Sequence, residues 1–214
     1  MRAFVGPLVG ALLLAVAAMI GSIAAGAFAD GAPDPDAHHH HALERATRST
    51  ANYTVPEVKL VRDDGKTVSL PEELNDGRPV ALNFIFTSCT AICPVMSRVF
   101  SQLQSNLGDE RTTVHMVSIS IDPEQDTPAR LTEYAKKFGA GPQWQHYTGT
   151  TEASIAAQRA FNAYRGDKMN HNPVTFLRAA PGKPWERIDG FATAYELAGE
   201  LRDLVVSGSD RTQS

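Results

Sequence analysis

The chain has 214 residues, 43% of them hydrophobic and 21% charged, with a formal net charge of −4 and an isoelectric point near 6.0. This is enough apolar material for one well-buried domain with extensions, and the acidic balance excludes the basic face a nucleic-acid binder presents. Only two cysteines are present, Cys89 and Cys93, so a multi-disulfide scaffold is excluded and the pair is a local redox or metal-binding device.

Arg2 precedes an uncharged apolar run from Ala3 to Ala29, which closes on Ala27-Phe28-Ala29, a small-x-small cleavage pattern. Residues 1–29 therefore read as a secretory signal. The run is also long enough to cross a bilayer, so an uncleaved membrane anchor is the alternative. Both readings place the rest of the chain outside the cytoplasm, in the periplasm or on the outer face of the cytoplasmic membrane. Residues 30–51, dominated by Pro, Asp, Ala and His, read as a flexible tether. Within it, His38, His39, His40 and His41 form a tract that is either an auxiliary metal collector or a solvated linker. Its r.m.s. reach to Tyr53 is on the order of 20 Å, from about 5–6 Å times the square root of the chain length.

The folded domain is expected over 52–208, with 209–214 as a tail. Val58-Lys59-Leu60-Val61 and Val68 to Leu70 flank Asp64-Gly65, a hairpin signal. Pro79 to Phe86 is a nearly continuous apolar run, as expected for a strand buried on both faces. Val95, Val99, Phe100, Leu103 and Leu107 then recur at helical spacing until Gly108, and Met96 is read as part of that stripe. A second buried strand is expected from Val114 to Ile121. Thr127-Pro128 reads as the N-cap and first residue of a helix lined by Leu131, Tyr134, Ala135 and Phe138. A strand over Trp144 to Thr148, a helix over Thr151 to Tyr164, a hairpin around Pro181-Gly182 and a helix over Ala194 to Val206 complete an α/β domain with a mixed central sheet.

The cysteines stand between a strand and the helix that begins near Pro94, at the carboxyl edge of the sheet, where open α/β sheets carry their sites. Residues four apart on a helical turn have Cβ atoms about 5–6 Å apart, so two thiolates can share a metal ion or close into a disulfide. The helix N-terminus favours the thiolate needed for either chemistry. Thiolates select Cu(I) or zinc, and a structural zinc would want four strong ligands, so two sulfurs with one imidazole favour copper. Among the histidines outside the tract, His115 is expected to be packed or at an edge. His146 is expected at the surface, whereas His171, in the polar loop 167–173, is the best third ligand.

Cys89-Thr90-Ala91-Ile92-Cys93-Pro94 after Asn83-Phe84-Ile85-Phe86-Thr87 resembles the Sco/SenC family of copper chaperones. So does the segment from Val117 to Pro128, with Ser118-Ile119-Ser120-Ile121-Asp122-Pro123 followed by Asp126-Thr127-Pro128. Trp144 to Gly149 and the placement of His171 add to the likeness, which covers roughly 55–204. The resemblance implies a thioredoxin-like fold with an N-terminal β-hairpin extension, one copper ion, and ligands Cys89, Cys93 and His171. It further implies delivery of copper to the Cu(A) centre of cytochrome c oxidase, with the oxidase subunit carrying Cu(A), other periplasmic copper carriers or thioredoxin-like reductants as partners. Asp122 would be an acceptor behind the ligands or a partner-docking residue, and its plain reading is a turn before Pro123. Asn172-Pro173 departs from the family pattern and resembles the proline beside the thiols of thioredoxins. A thiol-disulfide oxidoreductase that keeps oxidase cysteines reduced therefore remains the alternative, without turnover catalysis in the leading reading.

Overall fold

The structure, a computed structural model, describes residues 46–210. The expected signal or anchor at 1–29, most of the expected tether, the tract from His38 to His41 and the last four residues of the expected tail lie outside the described residues. Eight strands form one mixed sheet in the order β1-β8-β7-β4-β5-β6-β2-β3. They are β1 (Thr47–Ala51), β2 (Lys59–Arg62), β3 (Thr67–Ser69), β4 (Val80–Ile85), β5 (His115–Ser120), β6 (Trp144–Thr148), β7 (Val174–Arg178) and β8 (Trp185–Asp189). The helices are α1 (Leu70–Leu74), α2 (Ile92–Leu107), α3 (Pro128–Lys137), α4 (Thr151–Ala160) and α5 (Ala194–Asp210). Strands β4, β5 and β6 run parallel, while β7, β8, β1, β2 and β3 add antiparallel neighbours on the two sides. The expected hairpin extension is β2–β3, turned at Gly65 with φ +85°, a conformation glycine adopts without a Cβ clash.

The apolar run of β4 is explained by a core on each face. Ala81 and Ile85 pack with Phe100, Leu103, Leu131, Trp144 and Leu197, from α2, α3, β6 and α5. Val80, Leu82 and Phe84 pack on the opposite face with Leu74, Ala157, Phe161 and Phe176. With every residue of β4 buried, period-two alternation has no polar face to display. Helix α3 starts as its sequence demands. Thr127 accepts from the Arg130 N–H, Pro128 occupies the first helical position, and Leu131, Tyr134 and Ala135 face inward.

Four expectations need correction. The tether does not extend to residue 51, because Thr47–Ala51 pair with β8 from Thr47↔Asp189 to Ala51↔Trp185. Val95 is 40% exposed, while the expected Met96, Phe100, Leu103 and Leu107 do face inward, joined by Cys93, Ser97 and Gln104. His146 is fully buried rather than at the surface. It lies on a strand flanked by β5 and β2, its ring 5.0 Å from Trp144 and 6.1 Å from Tyr134 of α3. His115 is packed as expected, its Nε2 within 2.9 Å of Gln145 Oε1 and 3.1 Å of the Tyr147 hydroxyl. The last helix continues past Val206 to Asp210, into the expected tail.

Candidate metal centre

Strand β4 ends at Ile85, and the chain turns through residues 86–91 into α2. The Cys89 N–H donates to Phe86 O at 3.2 Å, closing that turn. Cys93 lies in the first turn of the helix, wholly buried. Its N–H donates to Cys89 Sγ at 3.4 Å, and its own sulfur accepts from the Phe86 N–H at 3.4 Å.

This geometry makes the pair asymmetric. Around Cys89, partial burial opposes ionisation, but the N–H groups of Cys93, Ala91 and Ile92 and the Cys93 thiol all favour the thiolate. The net result is a pKa below the ordinary value of 9.0. Burial dominates at Cys93 and pushes its pKa well above that value, with the neighbouring Cys89 charge adding to the rise. One sulfur is therefore accessible and easily ionised, and the other is sheltered behind it.

His171 follows a short 3-10 turn, Lys168–Asn170. Its imidazole is buried, and Nε2 lies 3.0 Å from Phe84 O. A carbonyl only accepts, so Nε2 carries the hydrogen and the lone pair is left on Nδ1. Burial lowers the His171 pKa from its ordinary 6.5 and so favours the neutral ring that a metal requires. Metal-ligating histidines typically show this arrangement, one nitrogen held by a backbone carbonyl and the other free to bind. Cys89 and His171 line one cavity of about 160 Å³ together with Phe86, Ser88, Lys168 and Met169. Among the described residues, no three His, Cys, Asp or Glu side chains already stand in metal-holding array. The donor chemistry fits a soft metal, with the Cys89 sulfur and the imidazole at the same cavity and Cys93 tied to Cys89 through its N–H.

Asp122 does not appear among the residues lining that cavity. Its carboxylate accepts from Lys168 Nζ at 2.5 Å, and its carbonyl accepts from the N–H groups of Gln125 and Asp126. It both makes the turn and, through Lys168, holds the loop that carries His171. A second cavity, about 320 Å³, lies on that side, and Asp122, Lys168 and His171 all line it.

Sequence reasoning passed over Asp126. This fully buried carboxylate accepts from the Thr87 N–H at 3.1 Å, Thr87 Oγ1 at 2.5 Å and Ser120 Oγ at 2.6 Å. It thereby fastens the cysteine loop to the end of β5. Its spacing of four from Asp122, just ahead of the Thr127 cap, was the available signal.

The SCO1/SenC family model matches residues 46–206, which is nearly the whole of the described chain. The chain belongs to the SCO1/SenC family. Its relatives include the SCO1 protein homolog of Bacillus subtilis, 32% identical over 147 residues, covering 65% of this chain and 75% of that one. The match spans less of other relatives, 30% of an Arabidopsis thaliana SCO1 homolog and 53% of a Rickettsia felis SCO2-like protein. The copper-bound structure of Arabidopsis thaliana ScoI is 26% identical with a TM-score of 0.60, covering 72% of this chain and 98% of that one. BsSco, described as a Sco-family cytochrome c oxidase assembly protein with a disulfide switch, is 26% identical with a TM-score of 0.62, covering 75% and 98%. The mixed sheet with its flanking helices is thus the thioredoxin-like fold of SCO1/SenC proteins.

Proposed function

We propose that this protein is an exported copper metallochaperone, with Cys89, Cys93 and His171 as the ligands that carry the ion to the Cu(A) centre of cytochrome c oxidase. One observation carries the reading. An ionisable thiol, its hydrogen-bonded partner and an imidazole with its lone pair on Nδ1 converge at the carboxyl end of β4, in a family with a copper-bound member. Thiolates hold Cu(I), and the added imidazole lets the same set accept Cu(II). The apolar run at 3–29 supports export or anchoring, and the histidine tract at 38–41 would be an upstream copper collector. Each of these assignments rests on sequence.

The asymmetry of the thiols also supports a thiol-disulfide oxidoreductase, with Cys89 attacking and Cys93 resolving, and the disulfide switch of BsSco is in keeping with it. Copper titration of the reduced protein separates the two readings. A chaperone takes up one copper ion and loses Cu(II) binding in His171→Ala, whereas a reductase retains disulfide exchange in that variant. Unchanged copper affinity in Cys93→Ser would overturn the metal assignment.

A further inference from the structure

The turn Lys168–Asn170 presents a side chain that the site as described leaves unused. Met169 is 74% exposed, whereas the other two methionines of the described residues, Met96 and Met116, are buried in the core. Its backbone is held firmly. The Met169 N–H donates to Asp167 Oδ1 at 2.8 Å, the His171 N–H donates to Lys168 O at 3.2 Å, and Lys168 is tied to Asp122. The residue is nevertheless left largely in solvent while lining the same cavity as Cys89 and His171. A long apolar side chain fixed at its backbone gains nothing from water, and a thioether is a soft, flexible ligand that prefers Cu(I) to Cu(II).

We propose that Met169 is an entry ligand for Cu(I), binding the ion at the cavity mouth and passing it to the Cys89–Cys93 pair. This inference rests on the copper reading above. The transfer is a ligand exchange. Copper stays Cu(I) throughout, the Met169 sulfur releases it as Cys89 and then Cys93 bind, and each thiol that binds gives its proton to solvent. Because a thioether discriminates by softness, Met169 governs the rate of Cu(I) loading and leaves Cu(II) loading unchanged.

The test uses the reduced protein labelled at its methionine methyl groups, titrated with Cu(I) bicinchoninate and separately with Cu(II). Met169→Leu keeps the apolar bulk, removes the sulfur and assigns the Met169 resonance. The inference expects the Met169 methyl signal to shift at substoichiometric Cu(I) while that of Met116, buried on β5, stays in place. It also expects Met169→Leu to load Cu(I) several-fold more slowly, with unchanged final occupancy and unchanged Cu(II) loading. An unmoved methyl signal, or Met169→Leu loading Cu(I) at the wild-type rate, overturns it. Slow loading only in Met169→Ala also overturns it, assigning the side chain to apolar contact. Cys93→Ser serves as the control on the copper reading. If that variant binds copper as wild type does, the reading itself fails. If binding still depends on Cys93 while Met169→Leu is silent, only the entry ligand is lost.

Discussion

Replacing Asp126 with alanine should loosen the cysteine loop without touching a thiol. The carboxylate is fully buried and accepts from three donors, Thr87 N, Thr87 Oγ1 and Ser120 Oγ. A buried donor left without its acceptor costs about 1–3 kcal/mol. The two hydroxyls can rotate toward other acceptors and Thr87 is only half-buried, so the low end applies to each, about 3 kcal/mol for the three together. In a domain of this size each kcal/mol lowers Tm by about 2–4 °C, which gives a drop of about 6–12 °C for Asp126→Ala. Asp126→Asn keeps one carbonyl oxygen and should recover part of that loss. Calorimetry reads the stability and a copper titration reads the loop, since Thr87 stands two residues before Cys89. A wild-type Tm in Asp126→Ala, or an Asn variant as damaged as the Ala variant, would refute the reasoning.

Iodoacetamide should modify Cys89 well before Cys93, at a pH below that expected for an ordinary thiol, because neighbouring N–H groups favour its thiolate while burial suppresses that of Cys93. Peptide mass mapping after a short pulse checks this, and equal labelling of both thiols in the folded protein would contradict the asymmetry. His115 gives a pH dependence of defined sign. Burial, then the charge of Arg78, holds its folded pKa below the ordinary 6.5, so its contribution to stability is complete above 6.5 and is lost as pH falls through the depressed value. Tm should therefore decline as pH falls from 6.5 to the depressed value and level off beneath it, and His115→Gln should flatten the decline. An unchanged slope in the variant would place the acid sensitivity elsewhere.

The sequence announced elements whose neighbours are dictated by their own composition. Val80–Ile85 admits little except a strand covered on both faces, and Thr127-Pro128 starts a helix wherever the chain takes it. What escaped depends on what packs from a distance. Thr47-Arg48-Ser49-Thr50 has no apolar alternation, and its strand exists because β8 offers an open ladder. His146 reads as polar, yet β5, β2 and α3 bury it. At the site, the spacing of Cys89 and Cys93 with a strand before and a helix after pointed to the paired thiols. Only the three-dimensional arrangement shows that Asp122 works through Lys168, that Asp126 holds Thr87, and that Met169 shares a cavity with Cys89.

Strand β1 has a consequence for where the folded unit can be cut. Its five residues cap the outer edge of β8, whose Trp185 and Ile188 are buried, and Arg48 forms ion pairs with Glu196 and Glu200 of α5. A truncated chain starting at Asn52, the boundary that composition suggests, would strip this polar guard from β8. The freed amides and carbonyls of Trp185–Asp189 would then be a template for the same strand of a second molecule. Soluble preparations should instead begin before Ala46, so that the sheet keeps the short, polar edge with which it ends.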